Sequence, residues 1–327
     1  MDRFLELAQH YYGISLLAGI VMLIGGGHFL VDGSVAIAKR LGISTLVIGL
    51  TVVAFSTSSP ELALNIVASI NGHGDLSLGN IFGSNIANLG LVLGIGALIC
   101  KLPVTGRIVT IEFPWLFVFT VIVGLVTLFG TLNSRWAVLF LLFFIIFMVV
   151  WFKLGKESVS KVAAQSGDVT PEGPRSSVTA WVMLIGGLIL LAVGGKVTEI
   201  GAVSGALKLG MSKILIGGTI VAIATSLPEL VTTIIAAKKG HPDLAVGNVL
   251  GSNMFNILFV LPITMLVNPI KTPDKVWVYI VVMVLMTLLA WILTMRDKMG
   301  DHKIKPYEGA ILVGSFVLFL VGVSIWR

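Results

Sequence analysis

Apolar residues run almost unbroken for about twenty or more positions at a time, with short polar breaks between the runs and little alternation of period two. The runs lie at roughly 12 to 38, 44 to 70, 76 to 99, 109 to 131, 135 to 154, 178 to 206, 213 to 237, 244 to 267, 274 to 295 and 307 to 326. A hydrocarbon layer about 30 Å thick is crossed by about 20 helical residues, so each run predicts one spanning helix. The longest polar segment, 156–177, holds Gly167, Asp168, Pro171, Glu172, Gly173 and Pro174. Such turn-forming composition predicts a linker between an N-terminal unit, 1–155, and a C-terminal unit, 178–327, of five helices each.

Composition narrows the class. The chain of 327 residues is 56% hydrophobic and 12% charged, against about 25% charged in a soluble domain. The expected class is an all-α, multi-pass integral membrane protein of the cell membrane, inner or plasma, with the lipid bilayer as its main partner. The net charge of +6 reflects basic loops rather than a nucleic-acid surface. Fourteen Lys and Arg fall in the loops of one side, among them Lys39, Arg40, Lys238 and Lys239, and seven on the other. The richer side is expected to be cytoplasmic, which puts both termini on the extracytoplasmic side. The single cysteine, Cys100, allows no internal disulfide, and a cleavable signal peptide is not expected before so long a first apolar run. The phenylalanines from Phe140 to Phe147 read as lipid-facing, and Trp136, Trp151, Trp277 and Trp326 as interfacial belts.

The chain also repeats itself. Residues 51–98 align without gaps on 219–266 at an offset of 168, with about half the positions identical. The same offset brings Gly26 and Gly27 onto Gly194 and Gly195. A unit with an odd number of spans, once duplicated, crosses the bilayer in the opposite sense, so ten helices form two inverted five-helix repeats. That topology suits alternating access.

Where the copies agree best, they carry chemistry. Thr57-Ser58-Ser59-Pro60-Glu61 and Thr225-Ser226-Leu227-Pro228-Glu229 each set a carboxylate in mid-span, where an ionised group costs several kcal/mol unless it is paired or solvated. The proline and hydroxyls predict a helix break just before Pro60 and Pro228. Carbonyls of about Ala54 to Thr57 and Ala222 to Thr225 then lose their intrahelical partners, and Glu61 and Glu229 enter the first turn of the next helix. A second pair of motifs, GNIFGSNIAN from Gly79 and GNVLGSNMFN from Gly247, sets Asn80, Ser84 and Asn88, and Asn248, Ser252 and Asn256, at i, i+4 and i+8 as polar stripes. Gly79 with Gly83, and Gly247 with Gly251, have the spacing of close helix contacts. Two carboxylates with carbonyls, hydroxyls and amides form an all-oxygen set that suits a hard cation such as calcium, or several sodium ions or protons.

These paired motifs resemble those of the calcium/cation antiporter superfamily, in particular its sodium/calcium exchanger branch with two alpha-repeats. The resemblance covers both halves. It implies a calcium site of Glu61, Glu229 and the carbonyls of Thr57 and Thr225, and sodium sites drawing on Ala54, Ser58, Ser84, Ala222, Ser226 and Ser252 together with both glutamates. It further implies that Asn88 and Asn256 line the cavity and that the first and sixth spans gate it. Two departures from the family pattern stand out: Ser56 and Ala224 replace the usual glycine, and Asn256 stands where well-known exchangers carry Asp. With one acid fewer, sodium and protons both stand as driving ions.

Other readings of the residues are weaker. His28 with Asp32, and Lys196 with Glu199, have helical pairing distances; His73 and His241 precede apolar runs as caps do. Neither HExxH, GxSxG nor a clustered His set is present, which argues against an intramembrane enzyme. A passive channel has no need of inverted duplication. The sequence therefore points to a cation antiporter that needs no cofactor beyond the calcium and sodium it transports.

Overall fold

Lipid offers a peptide group no hydrogen bonds, so apolar runs of this length satisfy their N–H and C=O groups internally, as helices. The computed structural model of the chain describes residues 10–166, 176–210, 222–295 and 302–325. Its helices are α1 (Tyr12–Leu41), α2 (Thr45–Thr57), α3 (Ser59–Ile70), α4 (Gly74–Ile99), α5 (Ile108–Leu128), α6 (Ser134–Ser166), α7 (Ser177–Lys208), α8 (Ala222–Thr225), α9 (Leu227–Lys238), α10 (Pro242–Val267), α11 (Val276–Met295) and α12 (Pro306–Ile325). Among the described residues eight helices are long and apolar enough to cross a membrane, and α2 with α3 forms a ninth path bent by 45°. The run at 213 to 237 is described only from Ala222, as α8 and α9; its beginning lies outside the described residues, as do 167–175 of the linker.

Two boundaries differ from the sequence reading. Helix α6 continues to Ser166, well into the segment read as linker, because no proline occurs there before Pro171. Four two-residue strands also interrupt the all-α expectation: β1 (Leu102–Pro103) pairs antiparallel with β4 (Lys303–Ile304), and β2 (Thr131–Leu132) with β3 (Ile270–Lys271). Each pairing joins a loop of one half to a loop of the other and satisfies backbone groups where the helices stop.

Helices α4 and α10 are the most buried spans, with α2, α3, α9 and α11 packed around them. Gly247 and Gly251 on α10 meet the α2 backbone: a Cβ would fall 2.8 Å from the Leu46 carbonyl and 2.6 Å from the Leu50 carbonyl. Gly79 and Gly83 on α4 have nothing within 4 Å among the described residues. Their expected close contact is therefore not seen, and the stretch equivalent to most of α2 in the second half, 213–221, lies outside the described residues.

Helices α1 and α7 lie face to face and antiparallel. Gly19 faces Gly194 and Thr198, Gly26 faces Gly187 and Leu191, and Gly33 faces Leu184, one number rising as the other falls. The 168-residue offset maps Gly19 onto Gly187 and Gly26 onto Gly194, so these contacts are reciprocal.

Aromatic placement corrects the sequence reading. Phe140, Phe147 and Trp151 are fully buried, not lipid-facing or interfacial. Trp151 packs edge-on to Trp115 at 5.5 Å, and the neighbouring Phe144 packs on Phe255 at 4.9 Å, which ties α6 to α5 and α10. In a bilayer an apolar side chain suits lipid and protein equally, so hydropathy cannot tell the two faces apart. A half-buried ion pair, Arg107 Nε to Glu112 Oε1 at 2.7 Å, opens α5.

Candidate cation site

The residues around each proline decide the local fold. Ser58 leaves helical geometry at φ −87°, ψ 4°, and Ser226 does so at φ −89°, ψ 2°; Pro60 and Pro228 then occupy the first turns of α3 and α9. A proline there costs nothing, because first-turn N–H groups lack intrahelical acceptors. Glu61 and Glu229 follow in those turns, where the helix dipole favours a carboxylate.

The break releases fewer carbonyls than the sequence suggests. The Ala54 carbonyl accepts from the Ser58 N–H at 3.0 Å, and the Phe55 carbonyl accepts from the Ser59 hydroxyl at 2.6 Å. Ile223 likewise accepts from the Ser226 N–H at 3.1 Å. Hydroxyl side chains and a tightened last turn take up the carbonyls that an abrupt break would expose.

Glu61 is 2% exposed and Glu229 1%. The Ser58 hydroxyl reaches Glu229 Oε1 at 3.4 Å. Thr57 Oγ1 donates to Asn248 Oδ1 at 3.1 Å and lies 3.2 Å from Ser252 Oγ, so the break in the first half is tied to the stripe of the second. Asn248 Nδ2 in turn bonds Thr233 Oγ1 at 3.2 Å and the Glu229 carbonyl at 3.4 Å. In the first half Asn65 Nδ2 bonds the Glu61 carbonyl and Asn80 Oδ1, each at 2.7 Å. Asn80 and Asn248 thus sit in the networks that hold the turns bearing the glutamates.

Ala54, Thr57, Ser58, Ser84, Ser226, Ser252, Asn88 and Asn256 are all buried, Thr225 is half-buried, and Ala222 opens α8. Glu61 Oε2, Glu229 Oε2, Asn88 Oδ1 and Asn256 Oδ1 are buried acceptors with no donor among the described residues, as is Asn65 Oδ1 beside Glu61. Buried oxygens without donors are costly to bury unless a cation or water meets them. No group of three or more His, Cys, Asp or Glu comes together among the described residues; the charged oxygens here are those of the two carboxylates, among neutral hydroxyl and amide oxygens.

A cavity of about 630 Å³ reaches the breaks from one side and is lined by Ser59, Pro60, Thr225, Pro228, Lys196 and Glu199. Lys196 bonds both Glu199 oxygens at 2.9 and 3.0 Å, as its spacing predicts. Asp32 does not pair locally: it takes Lys239 Nζ at 2.5 Å, linking α1 to the end of α9 on the opposite side. Nearby His241 is held below its usual pKa of 6.5, first by burial and next by Lys39, with Asp32 opposing. It therefore gains a proton more readily unfolded than folded, so its contribution to stability is present above 6.5 and falls as pH drops below it. Asp32 keeps nearly half its side-chain surface in solvent, so Asp32→Asn is expected to cost less than about 1 kcal/mol, read as a small fall in melting temperature that 1 M salt removes.

Two site residues escaped the sequence reading. Asn85 and Asn253 are buried and exchange hydrogen bonds across the halves, Asn253 Nδ2 reaching the Asn85 carbonyl at 3.2 Å and Asn85 Nδ2 the Asn253 carbonyl at 3.4 Å. Their signal was present: each GSN copy retains its last residue, one position beyond the stripe.

Known proteins share this architecture. The family described as sodium/calcium exchanger protein matches residues 11–153 and 179–325. The sodium/calcium exchanger MaX1 of Methanosarcina acetivorans is 31% identical over 345 residues, covering 94% of this chain and 96% of that protein. The inner membrane protein YrbG of Escherichia coli is 29% identical over 315 residues, covering 93% and 94%. A solved structure of the sodium-calcium exchanger NCX_Mj, soaked with sodium and calcium, superimposes with a TM-score of 0.81 at 30% identity, covering 95% of this chain and 97% of that one. MaX1 and NCX_Mj are exchangers and not enzymes, and the chain belongs to the sodium/calcium exchanger protein family.

Proposed function

We infer that the protein is a secondary antiporter that exchanges sodium for calcium across the cell membrane by alternating access. The observation that carries this reading is the pair of buried glutamates, Glu61 and Glu229, at equivalent positions of two repeats, each with a carboxylate oxygen that no donor among the described residues reaches. Two negative charges balance one calcium ion, and the same oxygens serve sodium when calcium leaves. Thr57 and Thr225 complete the calcium site; Ala54, Ser58, Ser84, Ala222, Ser226 and Ser252 extend it for sodium, and Asn88 and Asn256 face the same cavity.

The reciprocal contacts at a 168-residue offset support two inverted five-helix repeats, 1–155 and 178–327, with ten spans and both termini extracytoplasmic. Under that orientation the cavity beside Pro60 and Pro228 opens outward, while the Asp32–Lys239 pair lies on the cytoplasmic side.

One observation favours a second driving ion. Asparagine at both 88 and 256 leaves two acids at the centre, a number that two protons also neutralise. The deciding experiment is calcium-45 uptake into proteoliposomes loaded with sodium and diluted into sodium-free buffer at equal pH. Uptake that requires the sodium gradient supports sodium/calcium exchange. Uptake driven by a pH gradient alone moves the protein to proton coupling, and no calcium flux under either gradient overturns the calcium assignment.

A further inference from the structure

Four asparagines meet where α4 and α10 cross. Asn85 and Asn253 each point their side-chain NH2 at the other's main-chain carbonyl, at 3.4 and 3.2 Å. A main-chain carbonyl only accepts, so each amide is oriented by it and each Oδ1 is turned the other way. There Asn85 Oδ1 accepts from Asn256 Nδ2 at 3.0 Å, and Asn253 Oδ1 accepts from Asn88 Nδ2 at 3.1 Å. Asn88 and Asn256 are thereby committed to donate inward, and their own Oδ1 atoms are left buried with no donor among the described residues. Both residues also begin π-helical turns, Asn88–Val92 and Asn256–Val260, a wider geometry that recurs at functional sites.

We propose that Asn85 and Asn253 are positioning residues for the cation site: they act through Asn256 and Asn88, fixing those two amides with the oxygen presented to the ion and requiring both positions to be neutral donors. This rests on the antiporter reading, and it deepens it by saying why asparagine stands at both places. An ionised aspartate at 256 would set two acceptors against each other where a 3.0 Å hydrogen bond now lies. Residues that orient a metal's ligands without touching the metal typically change its affinity about 10- to 100-fold.

The test is a double-mutant cycle in sodium-loaded proteoliposomes, with half-saturating calcium, maximal rate and melting temperature read for each protein. Asn253→Ala is expected to raise half-saturating calcium about tenfold, with the maximal rate within about twofold, because it frees the Asn88 amide. Asn88→Ala should do the same, and the double variant should be no worse than the worse single one. A merely structural asparagine would instead lower melting temperature and rate at unchanged half-saturation, and its loss would multiply with that of Asn88→Ala; either result overturns the proposal. If Asn253→Ala does not fold, Asn85→Ala with Asn256→Ala reads the same question at the reciprocal pair. Wild-type vesicles that take up no calcium would sink the antiporter reading itself. The same cycle, read as the rise in melting temperature on adding calcium or sodium, then still decides whether Asn253 acts through Asn88.

Discussion

Glu229→Gln is expected to reduce sodium-driven calcium uptake at least about 100-fold while the protein still folds. The substitution keeps size and shape and changes the charge of a side chain that is 1% exposed. With Glu61 alone, the centre holds one negative charge against a divalent ion. A unit charge about 4 Å from a divalent ion, at an effective dielectric constant of about 20, contributes roughly 8 kcal/mol by Coulomb's law; desolvation, relaxation and entering water discount this to about 100-fold or more in affinity. A glutamine also presents an NH2 group where Glu229 Oε2 now lies without a donor, and a donor aimed at a cation opposes binding. Folding moves the other way, because burying a neutral amide costs less than burying a carboxylate whose charge is not balanced. The melting temperature without cations should therefore hold or rise, and its increase on adding calcium should disappear. Glu61→Gln should behave alike, since Glu61 occupies the equivalent first turn of α3. Uptake by Glu229→Gln within about threefold of wild type, with sodium the only gradient, would remove the paired carboxylates from the mechanism.

Much of this was legible from residues alone because the duplicated half provides an internal comparison. The breaks at Ser58 and Ser226, the glutamates in the following turns and the long apolar spans all follow from local rules that proline, helix dipole and lipid impose. What the sequence concealed lies in contacts between distant segments. Asn85 and Asn253 sit beside the stripe that helical spacing picks out, and their role depends on a partner 168 residues away. Asp32 has a suitable neighbour in His28 yet pairs with Lys239, a choice set by how α1 meets α9. Phe140, Phe147 and Trp151 are buried, although nothing in an apolar run separates the protein face from the lipid face. Fewer carbonyls are released than the motif suggests because the Ser58 N–H closes a last turn onto Ala54 and Ser59 turns its hydroxyl back onto Phe55.

The helix pair α1 and α7 yields the second large effect, and it has a control built into the chain. Gly187→Leu is expected to destabilise the protein by at least about 3 kcal/mol, as overpacking against an unyielding neighbour does. A Cβ on Gly187 falls 2.4 Å from the Leu30 amide nitrogen and 2.7 Å from the Gly26 carbonyl oxygen. Both atoms are backbone, so no side-chain rotation relieves the clash and the helices must separate. Separation also strips the reciprocal contacts at Gly19, Gly26 and Gly194, and lipid offers no hydrophobic driving force to push the pair together again. One residue away, a Cβ on Gly186 meets nothing within 4 Å. Gly186→Leu has the same propensity and hydrophobicity change on the open face of the same helix, and it should be neutral or slightly stabilising, since glycine is the poorer helix former by about 1 kcal/mol. The same contrast is expected between Gly26→Leu, whose Cβ falls 2.8 Å from the Leu191 amide nitrogen, and Gly25→Leu, which meets nothing. Melting temperature and gel-filtration profile in detergent check the pairs, with a fall of about 6 °C or more expected for the crowded member of each. If Gly187→Leu melts with Gly186→Leu, the close approach of α1 and α7 does not hold the fold, and a gating movement of these two helices loses its structural basis.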